Sequence, residues 1–318
     1  MAVGATWRTV PWQAQARTAD VGPDRLAYVE LGAGVTPALF LHGLGGNWTA
    51  WLETLPEVAR GRRVVAVDLP GFGKSPPASD GISISGYART IERFCDEIGL
   101  ERFVVVGSSL GGWVAAELAL RVPSRVAALV LADAAGIVPT RLERTKVVGM
   151  MRGAALGAPL APRFRRSIAS RPRLRKMALK YTIADPSGLA ADFVYMALPE
   201  APDPGFEPAF TAARRSWSDA WCDRLTEIEC PTLILWGERD SLLPVRHGRE
   251  FARRIRGSHL RVIGDAGHLP MVERPAEFNS ALLEFLDRTE GTGGSAKATQ
   301  SEMQGVCRPV IQANPSAG

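Results

Sequence analysis

The chain has 318 residues, 46% of them apolar and 22% charged, with a formal net charge of +5, the composition of a soluble globule with a full core rather than of a disordered or membrane-embedded chain. No apolar run reaches the ~20 residues that a membrane-spanning helix needs, and no basic start followed by an apolar stretch opens the chain as a secretory leader would. The four cysteines, Cys95, Cys222, Cys230 and Cys307, show no C-x-x-C spacing and lie mostly far apart, which argues against a zinc site or a disulfide framework and suits a reducing, cytoplasmic setting.

Taken in order, residues 1–24 read as irregular with an extended stretch around Trp12 to Thr18, and Gly22-Pro23-Asp24 makes a turn before the apolar strand Leu26 to Leu31, an opening hairpin. Ala38 to Leu41 is a short buried strand that delivers His42-Gly43-Leu44-Gly45-Gly46-Asn47, and Trp48 and Trp51 follow at helical spacing. Arg63 to Asp68 is the next strand. Ser83 caps a helix running to Ile98, with apolar residues at 3.6 spacing and Gly99 to end it. Phe103 to Val106 is too apolar for a surface strand; it leads through Gly107-Ser108-Ser109-Leu110-Gly111-Gly112 into a helix, and Arg125 to Asp133 is the strand after that. Strands that are apolar throughout and alternate with helices predict a parallel sheet covered on both faces, an α/β fold. The alternation breaks at Ala134 and resumes at Pro231 to Trp236. It then finishes with a helix from His247 to Ile255, a strand from Leu260 to Ile263 and a helix from Pro275 to Leu286. The expected organisation is a core of residues 1–135 and 229–288, an inserted helical cap at 136–228 and a disordered tail at 289–318, where large apolar residues are scarce. The chain contains no internal repeats.

The chemistry centres on Ser109. Gly107 and Gly111 frame it as G-x-S-x-G between a buried strand and a helix, the setting in which a serine occupies a strained turn and projects its hydroxyl above the sheet. A serine hydroxyl needs a base, and the base needs an acid to hold its tautomer. Of the four histidines, His259 starts a strand, His247 starts a helix outside the sheet and His42 precedes the serine; His268 follows a strand end in Gly264-Asp265-Ala266-Gly267-His268 and comes after every other candidate. Asp240, just past the strand 231–236, is the favoured acid and Asp133 the reserve, since serine, acid, histidine is the chain order that accompanies such an elbow. Main-chain N–H groups of Leu44 and Leu110 are the expected oxyanion donors, with His42 bracing its loop rather than titrating.

The motifs FLHGLGG (40–46), DLPGFGKS (68–75), VGSSLGGW (106–113), LILWGERDSLLP (233–244) and GDAGHLPMVERP (264–275) together resemble the α/β-hydrolase superfamily with a helical cap, over roughly residues 25–288. The resemblance implies Ser109, Asp240 and His268 as a triad, Leu44 and Leu110 as the oxyanion hole, and no metal or organic cofactor. Haloalkane dehalogenases and epoxide hydrolases of this fold carry aspartate where Ser109 stands. Meta-cleavage carbon–carbon hydrolases show His-Gly-x-Gly-Pro-Gly and a tryptophan after the histidine, whereas this chain has His42-Gly-Leu-Gly-Gly-Asn47 and Leu269. The expected activity is therefore hydrolysis of a small-molecule acyl ester, of carboxylesterase or lipase type, with carbon–carbon hydrolysis or a non-catalytic binding protein as alternatives.

Between Arg141 and Lys180 stand twelve Lys or Arg against one acid, Glu143, a local charge of +11, so the rest of the chain carries −6. Apolar residues interleave with these cations, as in a surface that touches anionic membrane or an acidic acyl carrier, or in an ordinary solvated helix face. No recognisable nucleic-acid module accompanies the charge, so nucleic acid is not an expected partner.

Overall fold

The computed structural model describes residues 6–79, 81–137, 162–198 and 203–303, with the backbone alone given for 162–164 and 290–303. Eight strands form one sheet: β1 (Ala16–Val21), β2 (Asp24–Leu31), β3 (Ala38–Leu41), β4 (Val64–Val67), β5 (Phe103–Ser108), β6 (Val126–Ala132), β7 (Thr232–Gly237) and β8 (His259–Ile263), in the order β1-β2-β4-β3-β5-β6-β7-β8. β2 is antiparallel to β1 and to β4, and every other pairing is parallel. The helices are α1 (Trp12–Gln15), α2 (Leu55–Val58), α3 (Ile84–Glu97), α4 (Leu110–Arg121), α5 (Pro162–Ser170), α6 (Pro172–Leu179), α7 (Ala191–Ala197), α8 (Phe206–Ser216), α9 (Asp219–Arg224), α10 (Arg246–Arg254), α11 (Pro270–Glu273) and α12 (Pro275–Met303).

Burial explains the strand composition. All six residues of β5 are buried, and their side chains alternate between two layers: Phe103 and Val105 pack with Trp113 and Trp236, while Val104 and Val106 pack with Val130 and Phe278. A period of two divided between two covered faces is why the strand reads as continuously apolar. The opening hairpin turns at Gly22, whose φ of 64° suits glycine, although residues 12–15 make a helical turn before β1 begins. Ser83 caps α3 by accepting from the Gly86 N–H at 2.9 Å, and Gly99, at φ 68°, follows its end.

Between β6 and β7 the described elements are all helical, α5 to α9 with two short 3₁₀ turns. The basic run is only partly in view, since 141–161 lies outside the described residues. Two of its arginines are buried braces: Arg165 donates to the Tyr195 carbonyl at 2.7 Å with its guanidinium over the Tyr195 ring, and Arg175 donates to the Leu189 carbonyl. Arg173, Lys176 and Met177 of α6 are exposed, Met177 by 71%. Among the described residues no helix is long and apolar enough to cross a membrane.

The last helix, α12, runs to Met303, beyond the expected end near Leu286 and into the stretch whose composition suggested disorder. Its first part docks Phe278, Leu282, Phe285 and Leu286 in the core, and from a docked first half a helix extends at one hydrogen bond per residue. Residues 304–318 of the expected tail lie outside the described residues.

This topology fixes where a site can form. The chain moves from β3 to β4 on one side and then returns to β5 on the other side of β3, so the strand order reverses between β3 and β5. At such a reversal the loops leaving the carboxyl ends diverge and open a crevice. Leu41 of β3 pairs with Gly107 of β5, and Gly107 with Leu131 of β6, so the loops after these strands start at one level.

Candidate active site

The turn after β5 is as tight as its glycines predict. A Cβ on Gly107 would lie 2.2 Å from the Gly111 carbonyl oxygen, and one on Gly111 would lie 2.3 Å from that of Leu41, so both positions admit only hydrogen. Ser109 sits between them at φ 52° and ψ −117°, outside the regions an L-residue favours, and is held there by its N–H donating to Ala132 O at 3.0 Å and its carbonyl accepting from Ala135 N at 2.9 Å. It immediately precedes α4, whose first N–H groups have no partner within the helix and favour negative charge.

His268 and Asp240 come from the carboxyl-end loops of β8 and β7. Their side chains are buried and joined by a 2.7 Å hydrogen bond from His268 Nδ1–H to Asp240 Oδ2. Asp240 Oδ1 accepts from the N–H groups of Leu242 and Leu243 at 2.8 and 2.9 Å, which fixes the orientation of the carboxyl group. The bond at Nδ1 leaves Nε2 as the ring nitrogen available for proton transfer. Ser109 and His268 both line one cavity of about 230 Å³.

The loop after β3 closes against the serine: a Cβ on Gly43 would lie 3.0 Å from Ser109 Cβ and 3.6 Å from its Oγ. Leu44 lines the cavity, and Leu110 is the first residue of α4. His42 is wholly buried; its Nδ1–H donates to Gly43 O at 2.7 Å and its Nε2 accepts from Leu69 N at 2.9 Å, while burial pushes its pKa down to about 4. It is a neutral brace between two loops, as the sequence suggests. His247 is buried within α10 and His259 is exposed at the start of β8, and neither lines the cavity.

The reserve acid is not idle either. Asp133 is fully buried at the carboxyl end of β6, at φ 43°, with Oδ1 accepting from Gly237 N at 2.9 Å. Polar atoms of Asp133, Asp240 and His268 all lie within 4.8 Å of one another, the one set among the described residues close enough to hold a metal ion. Within the set, His268 Nδ1 and both oxygens of Asp240 are engaged by hydrogen bonds within the chain.

Three supports escaped the sequence. Asp68 accepts from Trp48 N at 2.8 Å and Lys74 N at 2.9 Å, tying the loops after β3 and β4 together, with burial raising its pKa to about 6. Glu273 accepts from Gly267 N at 2.8 Å and Ala184 N at 2.7 Å, clamping the residue before His268 to the helical segment, where Thr182 O also accepts from His268 N at 2.9 Å. Phe206 lies across Gly45, 3.2 Å from where a Cβ would be, and lines the cavity. An acid straight after an apolar strand was a usable signal for Asp68; the partners of Glu273 and Phe206 are distant in sequence and left none.

The α/β hydrolase fold family model matches residues 36–275. A dihydrolipoyllysine-residue acetyltransferase component of an acetoin cleaving system from Cupriavidus necator is 31% identical over 274 residues, covering 84% of this chain and 68% of that protein. A 2-hydroxy-6-oxononadienedioate/2-hydroxy-6-oxononatrienedioate hydrolase from Pseudomonas putida is 31% identical over 278 residues, covering 82% and 91%. Among solved structures, a bacterial membrane phospholipase A superposes with a TM-score of 0.71 at 28% identity, covering 86% of each chain.

Proposed function

The chain belongs to the α/β hydrolase fold family, and from that premise we propose that it is a serine hydrolase of neutral carboxylic esters with an apolar acyl or alcohol part. Three residues carry the reaction: Ser109 as nucleophile, His268 as base and Asp240 as the acid behind it. His268 Nε2 takes the hydroxyl proton as Ser109 Oγ attacks the ester carbonyl. The resulting oxyanion accepts from the main-chain N–H groups of Leu44 and Leu110, and its collapse expels the alcohol, which leaves with the proton from His268. Water then attacks the acyl-enzyme along the same proton path, releasing the acid and restoring the serine.

The observation that favours esters is the cavity wall. Leu179, Phe193, Val194, Leu198, Phe206 and Leu242 dominate it, and no Lys, Arg, Asp or Glu lines it among the described residues. A dienoate or dioate substrate would bring a carboxylate into this wall, where a charge without a partner costs several kcal/mol. The relative from Pseudomonas putida makes carbon–carbon hydrolysis the second reading. A chromogenic ester series of increasing acyl length, run beside a ring-fission dienoate on wild type and Ser109→Ala, separates the two. Ester turnover that vanishes in Ser109→Ala supports the proposal; turnover of the dienoate alone supports the second reading, and turnover of neither overturns both.

A further inference from the structure

Helix α6 has two unlike faces. Leu174 and Leu179 pack onto Ile168, Ala169 and Val194, and Arg175 between them is buried with its guanidinium on the Leu189 carbonyl. Arg173, Lys176, Met177 and Lys180, at i, i+3, i+4 and i+7, share the other face, and all four are exposed.

The charge on this face is uncompensated. From Arg165 to Lys180 the chain carries seven cations and no acid. Among the described residues no ion pair holds Arg171, Arg173, Lys176 or Lys180, whereas Arg25 is paired with Asp20, Arg63 with Glu30, Arg121 with Glu92 and Arg125 with Asp96. Asp185 senses the charge of Lys176 but is itself bound to the hydroxyl and N–H of Ser187.

Met177 is the second, independent sign. Three large apolar side chains are exposed among the described residues, Val35, Met177 and Val262. Val35 precedes β3, at the end of the sheet away from the site, and Val262 lies on the edge strand β8 beside Arg261, which is paired with Glu284. Met177 alone of the three stands among unpaired cations.

We propose that the outer face of α6 docks on an anionic lipid surface. Arg173, Lys176 and Lys180 meet the lipid phosphates, and Met177 enters the apolar boundary between them. Cations alone would serve an acidic protein as well; the apolar side chain at their centre favours lipid. Docking here sets the bilayer beside the cavity, since Leu179 of the same helix, with Tyr181 and Thr182 just after it, lines the wall. The inference goes beyond the ester reading and does not depend on it.

Co-sedimentation of the full chain with vesicles tests this. Phosphatidylcholine vesicles containing phosphatidylglycerol are expected to bind it at low salt at least ~10-fold more tightly than phosphatidylcholine alone, and the difference should vanish at ~1 M salt, where charges are screened beyond ~3 Å. Arg173→Gln/Lys176→Gln is expected to weaken that binding by about 10-fold or more, and Met177→Gln by about threefold or more. Arg173→Lys, which keeps the charge, should bind like wild type. These positions are exposed and Gln and Lys suit a helix, so melting temperatures are expected to stay at the wild-type value. Equal binding to the two lipids, binding to neither, or binding that survives Arg173→Gln/Lys176→Gln would overturn the inference. Capture by an acidic acyl carrier protein with no affinity for vesicles would overturn it too, in favour of that partner. None of these measurements involves turnover, so the ester reading is tested apart from them.

Discussion

His268 Nδ1 lies 2.7 Å from Asp240 Oδ2, both side chains are buried, and the main-chain N–H of the same histidine is bound to Thr182 O at 2.9 Å. The residue is thus held from two sides, its ring by the β7 loop and its main chain by the helical segment between β6 and β7. Its orientation is set before any substrate arrives, the preorganisation that the proposed proton transfer needs.

Replacing His268 with Ala removes the base outright, and kcat on a short ester is expected to fall by about 10⁵ to 10⁶ with little change in KM. Asp240→Asn is expected to lose about 10⁴, the cost of a histidine left in the wrong tautomer. Steady-state kinetics at saturating ester measures both.

Gly107→Ala is expected to destabilise the fold by more than about 3 kcal/mol, since its Cβ would overlap the Gly111 carbonyl oxygen at 2.2 Å, where nothing flexible can yield. Gly43→Ala, which meets the serine side chain at 3.0 Å, is expected to fold but to lower kcat by about 10-fold or more by displacing Ser109. Thermal melts beside ester turnover distinguish the two kinds of damage.

His42 gives the protein an acid sensitivity of known sign. Its folded pKa of about 4 lies below the ordinary 6.5, so the unfolded chain binds a proton that the folded chain refuses; stability from this group is complete above pH 6.5 and is lost as pH falls towards 4, by about 3 kcal/mol in all. Asp68, raised to about 6, has the opposite slope over part of that window, since the folded form prefers its protonated state. The difference between wild type and His42→Gln cancels Asp68, and urea melts from pH 4 to 7 are expected to show the acid loss reduced in the variant.

Phe206→Ala should widen the cavity over Gly45 and shift the acyl-length preference upward by two or more carbons, roughly the reach of the removed ring, with short-ester kcat within about threefold of wild type. The chromogenic series reads this directly.

How much of this was open to the sequence follows from range. The elbow is local: a buried strand, two glycines and a helix state their own geometry, and the structure adds only the close approaches that forbid a side chain. That Asp240 and His268 meet was legible because strand-end position and chain order constrain them even without contacts. Arg165 and Arg175 were not, because a charge run does not reveal which guanidiniums turn inward to cap carbonyls of Tyr195 and Leu189. Glu273, Phe206 and the approach of Asp133 to Asp240 depend on loops that meet only when the sheet is assembled, and periodicity carries no trace of them.

The central claim is that Ser109 is an activated nucleophile, and labelling with a fluorophosphonate followed by intact-mass and peptide analysis tests it most directly. One equivalent per chain on Ser109, abolished in Ser109→Ala and slowed by orders of magnitude in His268→Ala, is the expected result. No labelling of the wild type, or labelling that persists in Ser109→Ala, would contradict it.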